Sequence, residues 1–334
     1  MPLVSIIIPL HNKGPFIAET LASVRAQTVA EWEAIVVENG SRDEGPGVVR
    51  TIASEEHRIR MIEAPASSTG PGSARNLGLR EARGTWILFL DADDLIAPDY
   101  LHGRLSNAAL DHPPDLIVGP WREFHTADQQ SSTIRYPAGW QDKVPPVTTS
   151  FCYAPWALHA ALIRRDQLAR TNPWNEELDQ FPSEDCSFWF RQIFSSTISW
   201  SDNPGALYRV ETPGSRDRKV NDPRIAFEAC RRNIWSNAEF LMRQDLRPSA
   251  AQAALAVRVL RRRLQQARSD PALKKQIKEE ISHWLTLTSW TDFRMLAWRL
   301  AFFHACRARE GHSQSAVSPP DQELATRANQ DDAP

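Results

Sequence analysis

Cysteine is scarce in this 334-residue chain. The four present, Cys152, Cys186, Cys230 and Cys306, lie far apart with no CxxC spacing, so neither a disulfide framework nor a zinc site is indicated and reduced thiols are expected. No run of eighteen apolar residues occurs, which leaves no membrane-spanning helix to be read from hydropathy. Residues 1–10 lack the basic start and cleavage site of a secretory leader, so a cytosolic protein is expected. Internal repeats are absent. Gly70-Pro71-Gly72-Ser73 is neither a P-loop, since Gly-Lys-Ser/Thr is missing, nor a full GxGxxG.

What is present is ordinary in bulk and uneven in distribution. Hydrophobic residues make up 42% and charged residues 24%, as in a soluble protein with a full core. The net charge of −2 hides a segregation: residues 1–215 hold 18 Lys/Arg against 27 Asp/Glu, residues 216–310 hold 20 against 10, and residues 311–334 hold 1 against 4. The chain therefore divides into an acidic body, 1–215, a basic helical region, 216–310, and a polar tail, 311–334, whose composition predicts disorder. A basic extension suits an anionic membrane surface or an anionic acceptor, and a solvated helical face would carry the same arginines. Nucleic acid is not an expected partner.

Strand-like runs at Val4–Ile8, Ala34–Val37, Ile59–Ile62 and Trp86–Leu90 alternate with helical patterns beginning near Phe16 and Ser73, and Asp115–Val118 adds another strand. This alternation predicts an α/β fold, a Rossmann-like, mainly parallel sheet flanked by helices. Residues 121–155, rich in Pro, Ser and Thr, read as loops over the sheet. Periodicity returns over Ala157–Leu168 and Phe188–Phe194, and beyond Pro223 the chain is almost wholly helical, with Ala250–Ala267 and Pro271–Leu287 the clearest segments.

The run Trp86–Leu90 drives straight into Asp91-Ala92-Asp93-Asp94. Burying unpaired carboxylates is costly, so the aspartates belong at the carboxyl end of a buried strand, where open α/β sheets bind ligands. Side chains alternate along a strand, which puts Asp91 and Asp93 on one side, suited to a divalent cation or to ribose hydroxyls. Helix capping by an aspartate is the plainer alternative. Ser183-Glu184-Asp185 reads as a helix start with Ser183 as its cap, where a carboxylate is stabilised by the helix dipole and also placed to take a proton from a substrate hydroxyl. Pro9-Leu10-His11-Asn12 and Glu38-Asn39-Gly40-Ser41 follow strands and should flank the same edge. Gly70–Asn76 offers a turn, a helix start and Arg75 in its first turn, a combination favourable to phosphate.

In one order, V-S-I-I-I-P-L-H-N, V-V-E-N-G-S-R-D, G-P-G-S-A-R-N-L-G-L, F-L-D-A-D-D, S-E-D-C-S-F-W-F-R and A-L-Y-R-V resemble the family 2 glycosyltransferases of the GT-A fold, over about the first 215 residues. The resemblance implies inverting sugar transfer from a nucleotide donor, UDP above others, to a hydroxyl of a glycan or lipid-linked saccharide of the bacterial surface type. It implies that Pro9, Leu10 and His11 lie against the base, that Glu38 hydrogen-bonds it, and that Arg75 and Ala92 lie on the nucleotide side. Asp91 then contacts the ribose and, with Asp93, the metal, Mn or Mg, that bridges the diphosphate. Asp185 matches the catalytic base, with Glu184 its neighbour, and Trp156 falls on the acceptor side. The basic helices would dock an acceptor or the inner face of a membrane, and Phe293–Phe303, ringed by arginines, suits an interfacial helix.

Many relatives read Asp-Asp-Gly-Ser where this chain has Glu38-Asn39-Gly40-Ser41, Thr-Tyr where it has Leu10-His11, and histidine where it has Glu211. Glu211 could ligate metal or contact phosphate, and Arg209 could meet phosphate without one. An inactive nucleotide-sugar-binding scaffold is the alternative these changes suggest. A sugar nucleotidyltransferase would need a Gly-rich basic loop after the first strand, which His11–Pro15 does not supply.

Overall fold

The computed structural model describes residues 2–289 apart from 69, 107, 109–111, 126–127, 142–143, 172–173, 211, 213–220 and 268. Its first half alternates strand and helix as the periodicity requires. β1 (Val4–Leu10), α1 (Gly14–Arg25), β2 (Trp32–Glu38), α2 (Gly45–Glu55), β3 (Ile59–Glu63), α3 (Pro71–Glu81) and β4 (Trp86–Phe89) follow in order. β1 and β4 are buried nearly throughout, as strands covered on both faces must be. β1 lies between β2 and β4, parallel to both, with Val4 opposite Trp32 and Trp86.

After β5 (Leu95–Ile96) and α4 (Tyr100–Leu105) come β6 (Leu116–Val118), β7 (Trp121–His125), β8 (Asp128–Arg135), α5 (Pro146–Thr149), β9 (Ala161–Arg164), α6 (Arg165–Thr171), α7 (Asp185–Phe194), β10 (Ile198–Trp200) and β11 (Ala206–Arg209). The large sheet has the order β10-β6-β9-β4-β1-β2-β3, and only β9 runs against its neighbours. The carboxyl ends of β1, β2, β4, β6 and β10 therefore open on one edge. The chain entering β9 arrives at that edge too, because β9 is reversed.

Two expectations fail for tertiary reasons. Ala157–Leu168 is not one helix: a 3-10 turn over Leu158–Ala160 leads into β9, whose Ala161, Leu162 and Ile163 are buried between β4 and β6 before α6 begins. Pairing with two strands outweighs helix propensity in so short a run. Residues 121–155 are not all loop, since β7 and β8 join β5 and β11 in a second sheet of order β5-β11-β7-β8. The string D-Q-Q-S-S-T-I-R carries no apolar alternation, and its strand character comes from the backbone of β7 beside it.

The helical region begins as the sequence suggests, with α8 (Pro223–Met242), α9 (Ala250–Gln266) and α10 (Pro271–Ser289). Asp222 caps α8, and Ser249 with Gln252 forms a capping box on α9. α8 packs on α7, where Phe190 meets Phe240 at 6.0 Å, and α10 reaches the same cluster through Trp284, 5.8 Å from Phe151. One compact unit runs through Thr288. The segment Phe293–Phe303, Glu211 and the tail lie outside the described residues. Among the described residues no helix is long and apolar enough to cross a membrane.

Candidate active site

At the end of β1 the Leu10 side chain belongs to the core and its carbonyl accepts from Asn39 N at 2.9 Å. The next residue turns outward. His11 is exposed, and its Nδ1 donates to the Asn39 carbonyl at 2.8 Å, which leaves Nε2 to accept from Asn12 Nδ2 at 3.1 Å. Asn12 adopts φ 51°, a left-handed conformation asparagine tolerates, and its Oδ1 accepts from Arg42 N at 2.8 Å. The two strand ends are thus stitched into one ledge. Beside it Glu38 accepts from Gly40 N at 3.1 Å and from Ser41 N. Burial pushes the Glu38 carboxyl up, but those donors and nearby His11 bring it below its ordinary value.

Each aspartate after β4 has a different cationic or donor neighbour. Asp91 Oδ1 accepts from Arg75 Nη2 at 2.7 Å and its side chain stays 35% exposed. Asp93 Oδ2 takes Lys13 Nζ at 2.5 Å, with exposures of 14% and 17%. Asp94 is buried: its Oδ1 accepts from Arg209 N at 2.8 Å, and His159 Nδ1 lies 3.3 Å from its Oδ2. Burial, with Asp93 and Asp91 close by, raises the Asp94 carboxyl, while burial lowers His159 to about 4. Ala92 is buried too, and its carbonyl accepts from Thr20 Oγ1 at 3.0 Å. What this strand end offers solvent is thus Asp91 and the edge of Asp93.

Arg75 joins this strand end to α7. Its Nη1 donates to Glu184 Oε1 at 3.0 Å while Nη2 holds Asp91, and its guanidinium lies 4.3 Å from the centre of the Trp174 ring. Burial opposes its charge, but the Asp91 and Glu184 carboxylates outweigh burial and raise its pKa. Glu184 is buried, only 4% exposed, whereas Asp185, the first residue of α7, is partly exposed. The guanidinium therefore ties Glu184, at the cap of α7, to the strand end that carries Asp91 and Asp93. α3 can bring Arg75 so deep because Gly78 lets it lie on the sheet: a Cβ there would stand 2.5 Å from Ile7 Cγ2.

Several expected roles change in this geometry. The α3 amino terminus is not open to phosphate, because Asp179 Oδ1 and Oδ2 already accept from Gly72 N at 2.7 Å and Ser73 N at 2.9 Å. Gly72 is required there, as an added Cβ would fall 2.3 Å from Asp179 Oδ1. Ser183 does not cap α7: it sits at φ 64°, Glu184 occupies the cap position, and Asn233 of α8 accepts from Ser187 N at 3.2 Å. Arg209 is committed within the protein, its side chain 0% exposed, donating to Glu19 Oε2 at 2.6 Å and the Asp93 carbonyl at 2.8 Å between the Phe16 and Phe124 rings. Trp156 is 2% exposed and packs between Trp189 and Trp200.

Lys13, Asp179 and His159 join the site without having been singled out in the sequence. Asp179 lies 106 positions from Ser73, so no local pattern announces that pairing. Lys13 was legible in principle, as a lysine at the mouth of a strand–helix turn facing the aspartate run.

Among the described residues no group of three or more His, Cys, Asp and Glu could hold a metal unaided. The donor set still fits a hard divalent cation. Such ions take one or two carboxylates and complete their shell with phosphate and water oxygens, and an ammonium already seated on Asp93 marks a position where positive charge is favoured.

Residues 5–156 match the family model described as glycosyl transferase family 2. EpsJ of Bacillus subtilis, named an uncharacterized glycosyltransferase, is 38% identical over 247 residues, covering 68% of this chain and 70% of that protein. An uncharacterized glycosyltransferase of Haemophilus influenzae is 35% identical over 112 residues, 34% of this chain, and the match spans only 44% of that protein's length. Among solved structures, Staphylococcus aureus TarS 1–349 in complex with UDP-GlcNAc aligns over 86% of this chain and 91% of that one, with TM-score 0.54 and 18% identity, a likeness of fold. The extent of the EpsJ match, together with the family model matched over residues 5–156, settles the lineage: this chain belongs to glycosyl transferase family 2.

Proposed function

We propose that the protein is an inverting glycosyltransferase that moves a hexose or N-acetylhexosamine from a nucleotide donor, UDP-linked, to a hydroxyl of a glycan or lipid-linked saccharide. The observation that carries this reading is the double ion pair of Arg75, which brings the start of α7 to the strand end bearing Asp91 and Asp93. Donor and acceptor chemistry can then meet at one place.

In this reading Pro9, His11 and Glu38 form the ledge for the base, with the Leu10 and Ala92 side chains supporting it from the core. Asp91 meets the ribose, and Arg75 fixes its carboxylate. Asp93, with Asp91 beside it, would hold a divalent cation, which when bound neutralises charge on the departing nucleoside diphosphate. Asp185 accepts the proton of the acceptor hydroxyl as that oxygen attacks the anomeric carbon from the face opposite the leaving group, which inverts the configuration without a covalent enzyme intermediate. Glu184, committed to Arg75 and buried, positions Asp185 and does not itself take the proton.

The relatives lend support at the level of donor and product. TarS is described with UDP-GlcNAc, PcManGT of Pyrobaculum calidifontis as a mannosyltransferase with GDP-Man and Mn2+, and ExoO of Rhizobium meliloti as a succinoglycan biosynthesis protein. The solvent-facing Arg258, Arg261, Arg262, Lys275 and Lys278 on α9 and α10 suit a lipid-linked acceptor presented at an anionic membrane surface.

The test is Asp185→Asn. Transfer from a UDP-sugar should fall by about 10²–10⁴-fold, the usual worth of a positioned base, while the melting-temperature rise produced by UDP with Mn2+ is kept. Transfer at the wild-type rate would remove Asp185 from the role. A rise with GDP, CDP or dTDP in place of UDP would move the donor to another base.

A further inference from the structure

We infer that Lys13 is a resident counter-cation for Asp93, holding that carboxylate while no donor is present and exchanging it for the donor's diphosphate when a divalent cation is taken up. The inference rests on the donor-site reading above and deepens it.

Of the cations set among the three aspartates, Arg75 and Arg209 are fixed by their surroundings. Arg75 is buried and shared between Asp91 and Glu184, and Arg209 is enclosed between two phenyl rings and bonded to Glu19. Lys13 differs in kind. It stands just before α1, its Nζ reaches Asp93 Oδ2 at 2.5 Å, and among the described residues its other hydrogen bond is a long one, to Thr212 Oγ1 at 3.4 Å. The Phe16 ring centre, 5.8 Å away, flanks the ammonium without gripping it. Lysine is a compact charge on a flexible four-carbon stem, able to change partners where a forked guanidinium would not.

Two positive ions cannot share that carboxylate comfortably. A hard cation binds carboxylate oxygen at about 2.0–2.2 Å, so with Lys13 at its present distance the charges would lie within a few ångströms of each other in a partly desolvated site, where repulsion is weakly screened. Cation uptake on Asp93 therefore displaces Lys13. Diphosphate oxygens supply the nearest new anions, and because Lys13 is anchored at the mouth of β1, beside the base ledge, its ammonium remains on the donor side. Lys13 is thus a positioning residue. It keeps Asp93 oriented in the empty enzyme, makes cation binding depend on the nucleotide, and adds a second positive charge to the diphosphate once both are bound.

The experiment measures Mn2+ binding directly, by loss of the free-ion electron paramagnetic resonance signal, in the full chain and in Lys13→Met, Lys13→Gln and Asp93→Asn, each first checked for wild-type circular dichroism. Without nucleotide, both Lys13 variants should bind Mn2+ at least about tenfold more tightly than the wild type, since the competing charge is gone. They should also bind UDP less tightly in metal-free buffer, where the lysine is the remaining counter-charge. Asp93→Asn should bind Mn2+ more weakly than the wild type. Unchanged or weaker Mn2+ binding in both Lys13 variants, with Asp93→Asn impaired, overturns the counter-cation role and leaves the cation site standing. Unchanged binding in Asp93→Asn removes the cation site and this inference with it.

Discussion

Replacing Arg75 by methionine should cost the protein stability as well as activity, and by an amount the structure allows to be worked. Glu184 is 4% exposed and accepts from the guanidinium at 3.0 Å, so the substitution leaves its carboxylate buried without that counter-charge, a change that typically costs about 3–5 kcal/mol. Asp91, 35% exposed, can turn to water, and losing its share should add no more than about 1 kcal/mol. Methionine refills most of the volume against Trp174, so a packing loss is secondary. In a body of this size about 3 kcal/mol lowers Tm by roughly 5 °C. The cause is isolated by adding Glu184→Gln. Once the buried charge is removed, the double variant should recover at least about 1 kcal/mol relative to the sum of the two single changes. Urea unfolding followed by tryptophan fluorescence measures all four proteins. Additivity within about 0.5 kcal/mol, or a cost below about 1 kcal/mol for Arg75→Met alone, would refute the claim that this guanidinium holds the site together.

Three further outcomes are expected. Asp179→Ala removes both acceptors from the α3 amino terminus and should destabilise the protein by about 2 kcal/mol in urea, with faster amide exchange at Gly72 and Ser73. Glu38 is held below its ordinary pKa in the folded state, so its contribution is fully present above the unfolded value and fades as pH falls through the folded one. Exchange at the Gly40 and Ser41 amides should accelerate below about pH 4.5, and Glu38→Gln should flatten that acid dependence. Cys152, Cys186 and Cys230 are buried, and burial raises all three thiols, Cys230 to about 12. Peptide mass spectrometry after iodoacetamide at pH 7.5 should find them unmodified until denaturant is added; modification of the native protein would show that the α7–α8 core opens.

Much of the fold was legible because its signals are local. The β-branched run Val4–Ile8, the apolar stretch Trp86–Leu90 and the periodicity of Ala250–Ala267 each declare an element through neighbouring residues alone. The strand ends then set where Asp91, Glu38 and His11 must emerge. β9 and β8 could not be read this way, since one owes its strand state to two flanking partners and the other to the backbone of β7.

The site divides along the same line. Sequence by itself determined which chemistry is available: carboxylates after a buried strand, an acid pair at the start of an aromatic helix, an arginine near the start of α3. Tertiary structure alone decided how those groups are spent, because an ion pair depends on distance in space and not on separation along the chain. It gave Glu184 to Arg75, closed the α3 amino terminus with Asp179, enclosed Arg209 between two rings and set Lys13 on Asp93. Burial then fixed which of these charges can move, and that selection leaves Asp185 partly exposed and Glu184 locked at the start of the same helix.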